Sequence, residues 1–224
     1  RLPMAAPPAD VIPAEEFEEL HDPDVLAAAA SVTVLRAATG FLAFLVAFHL
    51  KRSGAPPWLF AGVAGASTLA AITGTVVGPR LRRRYQERTM LRAALALPAL
   101  CCLLGSARIA IGVLVACVMA LSLGGNVGRL AFDSIVQANA PDVDRGRAFA
   151  RFETRFQLAW VAGAVGPVGV RVPGWAGLLV TATLLASGIV LFGAERSALL
   201  RWRATVLPTP DLARSVLEQA RRLQ

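Results

Sequence analysis

Histidine, tyrosine and paired cysteine are what this sequence has least of. There are two histidines, His21 and His49, one tyrosine and three cysteines in 224 residues. Cys101, Cys102 and Cys117 all fall inside apolar runs, with no CxxC and no cysteine–histidine spacing. That excludes a disulfide framework and a zinc site of familiar type. The chain has no HExxH, no Gly-x-Ser-Gly nucleophile turn and no second acid in an apolar run to partner Asp133, so the residue sets of intramembrane hydrolysis are missing. No catalytic residue, metal or cofactor is expected. Charge is also scarce: 17% of residues are charged and 55% hydrophobic, with a mean hydropathy of +0.56. A soluble domain of this length carries more charge.

What charge there is lies unevenly. Residues 1–24 hold seven of the 15 acids, whereas 22 of the 23 basic residues follow them. A net charge of +8 often marks a nucleic-acid binder. Here the arginines sit between apolar runs, and the positive-inside bias of membrane proteins is the more economical reading. No nucleic-acid partner is expected.

The apolar runs predict an all-α integral membrane protein with six spans, at about 25–50, 58–78, 91–105, 109–137, 156–172 and 176–194. Each is read as a helix crossing about 30 Å of hydrocarbon. Before them, residues 1–24 read as an acidic, proline-rich cytoplasmic linker; after them, residues 196–224 read as a basic tail. Thr209, Pro210 and Asp211 predict the start of a short amphipathic helix there. Gly62, Gly65, Ala66 and Gly74 predict packing faces on the second span. Gly163, Gly166, Pro167 and Gly169 predict a kink in the fifth.

The fourth span carries a polar stripe. At 100° per residue Ser122, Asn126, Arg129, Asp133 and Gln137 fall within an arc of roughly 80°. Arg129 and Asp133 have the i, i+4 spacing of an ion pair. Ionisable residues in a spanning helix turn toward a bundle interior or a water-filled path. Arg36, in the first span, either binds an anionic group, pairs with an acid on a neighbouring helix, or snorkels to the interface. Arg36, Asn126, Arg129 and Asp133 are therefore the candidate substrate or coupling path. A carboxylate beside an arginine resists protonation, so Asp133 reads equally as a structural gate and as a proton carrier.

The loops fix an expected orientation. Residues 80–92 offer six basic residues, 145–155 four and 196–203 three; the opposite loops offer Lys51, Arg52, Arg108 and Arg171. Thirteen against four places both termini in the cytoplasm.

Six spans behind an acidic linker, a basic loop after the second and a charged loop after the fourth resemble the C-terminal half of a major facilitator superfamily transporter. The loop GTVVGPRLRRR is similar to the degenerate second copy of that family's cytoplasmic motif. Arg80, Arg83 and Arg84 stand at its basic positions; Pro79 replaces the acid and Arg82 the glycine. The run DRGRAFARFETRFQLAWVAGA resembles the matching segment of actinobacterial-type members. The resemblance covers roughly residues 25–195 and implies twelve spans in two pseudo-symmetric halves, with substrate near the midplane. It implies that the first, second, fourth and fifth spans line the cavity, and that residues 1–24 join the halves.

The expectation is thus half of a secondary transporter that moves a small solute across the cell membrane by alternating access, with proton coupling open. Its partners would be membrane lipid, the missing N-terminal six-helix half and a small-molecule substrate. Arg80, Arg83, Arg84, Arg145, Arg147, Glu153 and Arg155 are the candidate cytoplasmic gate, with lipid-headgroup anchoring the alternative for the last four. A self-contained six-span scaffold or oligomer subunit is the alternative for the whole chain.

Overall fold

In a computed structural model, residues 23–139 and 145–206 are described, with side chains for 24–138 and 149–193. All regular structure among them is helical: α1 (Pro23–Arg52), α2 (Pro57–Arg82), α3 (Glu87–Gly105), α4 (Ile111–Asn139), α5 (Arg145–Gly169) and α6 (Gly174–Val206). The expected acidic linker (but for its last residues, which open α1), the tail helix after Thr209, and the side chains of Arg145 and Arg147 lie outside the described residues.

The connections explain where helices stop. After α1, Gly54 takes φ +67°, a left-handed conformation open to glycine at little cost. Backbone amides of Ser53 and Ala55 donate to the carbonyls of His49 and Leu50 at 3.0 Å, closing the helix end. Pro57 then occupies the first helical position of α2, where a missing amide hydrogen costs nothing.

Contacts between named residues give the helix directions. Ser67 and Ser122 meet, as do Gly78 and Leu130, so α2 and α4 run the same way. Gly177 lies against Leu45 and Gly188 against Val34, so α1 and α6 run oppositely. Gly105 meets Cys117, and Gly124 meets Ala94, so α3 opposes α4. The odd-numbered helices run one way and the even-numbered the other. The extensive pairings are α1 with α4, α5 and α6; α4 with α2 and α3; and α3 with α6. Four helices, α5–α1–α4–α2, therefore form one layer, and α6 and α3 back it. α1 is the most enclosed, with Leu35, Leu42, Leu45 and Leu50 buried.

Among the described residues, five helices are long and apolar enough to cross a membrane. α5 is the exception. Its first half carries Arg151, Glu153 and Arg155, and its uncharged part, Phe156 to Gly169, spans about 21 Å of helix. Hydroxyls inside the helices are satisfied within them: Ser31, Thr33, Thr39 and Thr181 each donate to the carbonyl four residues back, as an apolar surrounding demands.

Glycine works here mainly by allowing backbones to touch. A Cβ on Gly40 would stand 2.0 Å from the Trp160 carbonyl oxygen, and one on Gly163 2.0 Å from that of Ala37. Pro167, where a kink is expected, lies inside α5, and Gly163 serves the α1–α5 crossing. On α2 Ala70, Gly74 and Gly78 are packed, while Gly62 and Gly65 face open space, so half of the expected small-residue face has no neighbour. Gly40→Ala or Gly163→Ala should destabilise by about 1–3 kcal/mol or more, as overpacking does, whereas Gly62→Ala should be neutral or slightly stabilising. Thermal unfolding in detergent distinguishes them.

Candidate functional site

A polar cleft of about 170 Å³ opens between α1, α2 and α4, on the face away from α3 and α6. Arg36 and Thr39 enter it from α1; Ser122, Asn126 and Arg129 enter from α4. Residues 90 positions apart in the chain thus share one cleft because α1 and α4 pack as antiparallel neighbours. Gly125 lines its wall, while Gly124 and Gly128 pack on Ala94 of α3. Ser122, Asn126 and Arg129 of the stripe face the cleft because the small face of α4 is used for packing; Asp133 does not line it. Gln137 lies beyond the cleft and is exposed.

Arg129 is the most committed side chain. Its Nε donates to Asp133 Oδ1 at 3.0 Å, and its Nη1 donates to Glu153 Oε2. Its guanidinium also lies over the Phe156 ring, 5.6 Å from the centroid. Only 28% of its side chain is exposed; a cation so far removed from water needs partners of this kind. Gln157 donates to the second oxygen of Glu153 at 2.9 Å. The Arg129 hydrogen bond, above all, holds the Glu153 carboxyl below the usual glutamate range.

Glu153, expected with the loop arginines, instead joins the stripe of α4. It is the one acid in the arginine-rich run 145–155, and that isolation was the available signal. Beside it Phe132, Phe152 and Phe156 form an aromatic cluster, with Phe132 edge-on to the other two at 5.1 and 5.4 Å. The cluster fastens the end of α4 to the start of α5, and periodicity within one helix does not disclose it.

The other candidates lie apart from the cleft. Arg80 donates to the Val76 carbonyl of its own helix. Arg83, Arg84 and Arg155 are exposed. They stand at the end of the bundle where α2 stops and α3 and α5 begin, together with the Arg88–Asp24 pair at 2.5 Å. Such exposed pairs contribute little to stability. Cys102 and Cys117 are buried, and Cys117 donates to the Cys101 carbonyl between α3 and α4.

No family model matches the chain, and no solved structure matches it. It is similar to the uncharacterized protein ML2143 of Mycobacterium leprae (strain TN), 28% identical over 161 residues, covering 69% of this chain. The matched part spans 27% of that relative's length.

Glu153→Gln should lower the unfolding temperature at neutral pH and have little effect in an Arg129→Ala background. Because the Glu153 pKa is lowered on folding, its stabilisation is complete above the ordinary value of 4.5 and is lost as pH falls through the lowered one. Wild type and Glu153→Gln should therefore converge as pH falls below the ordinary glutamate range, as followed by intrinsic fluorescence.

Proposed function

We propose that the chain is a six-helix half of a secondary transporter of the major facilitator type, embedded in the cell membrane with both termini cytoplasmic. In this reading α5 is the fifth of the six spans, entering the bilayer at about Phe156 and carrying its arginines through the headgroup layer. The observation that carries the reading is a symmetry of packing. Exchange α1, α2 and α3 for α4, α5 and α6, and the extensive pairings map onto themselves: α1–α5 becomes α4–α2, α1–α6 becomes α4–α3, and α1–α4 and α3–α6 are unchanged. The two triplets run in opposite directions. Inverted three-helix repeats of this kind, with a polar site where they meet, are the architecture of secondary transporters. The cleft of Arg36, Asn126 and Arg129 lies at that meeting, between α1 and α4.

Orientation is supported by the same alternation. It gathers the turn at 83–86, the start of α5 and the end of α6 at one end, and this end holds the excess of arginine that favours the cytoplasm. α2 and α5, which correspond under the exchange, both leave large apolar side chains uncovered: Leu69, Ile72 and Val76 on one, Leu158, Val161 and Val165 on the other. In the full transporter these faces meet lipid and the other six-helix half. Because the similar mycobacterial protein is several times longer than the matched region, a partner half in the same polypeptide is consistent with it.

A single cysteine at Ser122, in a background free of Cys101, Cys102 and Cys117, tests this. A transporter should allow membrane-impermeant maleimide to label it from either side of oriented vesicles, in proportions that a substrate shifts. Labelling from one side alone would favour the six-span scaffold.

A further inference from the structure

We propose that the polar cleft and an apolar groove beside it form one continuous track for a single-chain anionic amphiphile, with a carboxylate head at Arg36 and its tail between α1 and α2. As the identity of a cargo, this rests on the transporter reading; as a binding site, it stands without it.

α1 and α2 follow one another in the chain, yet beyond the Gly54 turn they make no extensive contact. Each packs on α4 instead, which leaves a groove between them with α4 as its floor. Toward the turn the groove is an apolar cavity of about 290 Å³, lined by Val46 and Leu50 of α1, Phe60 and Val63 of α2 and Val118 of α4. Toward the arginine-rich end it is the polar cleft. The two cavities adjoin: Thr39 lines one and Ala43, a turn along α1, lines the other. Ser67 lines the apolar part, Ser122 the polar part, and their hydroxyls are hydrogen-bonded at 2.8 Å. From Arg36 to Leu50 the track follows about 21 Å of helix.

Charge selects the head group. Arg129 is already held by Asp133 and Glu153. Arg36 has no hydrogen bond or ion pair among the described residues, and its electrostatic counterpart is the more distant Glu153. A guanidinium has five donors in a planar fork that fits a carboxylate. Facing a cavity otherwise free of uncommitted charge, it is the natural anchor for one. The adjoining wall offers no polar group beyond the mutually bonded serines, so a ligand long enough to leave the cleft must be apolar there.

Binding of radiolabelled dodecanoate to the purified protein in zwitterionic nanodiscs tests the proposal. Dodecanoate should bind at least tenfold more tightly than butyrate, which lacks the tail, and than dodecanol, which lacks the charge. Arg36→Gln should reduce dodecanoate binding to the level of dodecanol, and Arg36→Lys should retain part of it. Ala64→Trp, at the exposed lip of the groove, should weaken dodecanoate and leave butyrate unchanged. Equal binding of butyrate or dodecanol, or no effect of Arg36→Gln, would overturn the proposal. So would displacement of dodecanoate by anionic phospholipid added to the disc, which would assign the track to bilayer lipid. Maleimide labelling at Ser122 from one side alone would remove the transporter reading while leaving a positive binding result intact.

Discussion

Arg129, largely withdrawn from water in an apolar helix, is neutralised where it stands. A guanidinium withdrawn from water without partners is strongly unfavourable. Arg129 meets this demand twice, once within α4 through Asp133 and once from α5 through Glu153. The second bond has consequences beyond charge. α4 and α5 are not extensive packing partners, so the ion pair, with the Phe132, Phe152 and Phe156 cluster beneath it, is what closes the layer at that end. With Arg129 so occupied, Arg36 is the cation left facing the cleft.

The remaining constraint is steric. Where apolar helices pack on one another, close approach depends on small residues. Gly40 and Gly163 let α1 and α5 touch backbone to backbone, and Gly74 and Gly78 do similar service for α2 on α4. These two crossings correspond under the exchange of the two helix triplets. Tight crossings on the outer flanks and an α1–α4 contact opened by Gly125 leave a cavity at the centre of the layer.

Much of this was legible in the chain itself. Helix positions follow from apolar runs broken by Ser53–Pro57, by the arginines at 80–84 and by Ser106–Arg108. The polar stripe of α4 follows from its spacing, and so does the Arg129–Asp133 pair, because i, i+4 geometry is local. Glu153 was not legible as the partner of Arg129: 24 residues separate them, and a run of arginines nearer in sequence offered a simpler assignment. The roles of single glycines were half legible. Composition marks α2 as a small-residue helix, but whether Gly62 or Gly74 meets a neighbour depends on the angle at which α2 crosses α4. The groove between α1 and α2 was hidden for a related reason. It exists because two consecutive helices do not pack together, and no pattern within either reports that.

A charge exchange across the α4–α5 bond examines the central claim most directly. Arg129→Glu sets three acids against one another and should abolish the folded, monodisperse protein. Adding Glu153→Arg restores a cation between α4 and α5 in reach of both Asp133 and the new glutamate. The account predicts substantial recovery of monodispersity and unfolding temperature in the double variant. Equal loss in single and double variants would contradict it, since the position of Arg129 would then matter for reasons other than its bond to Glu153.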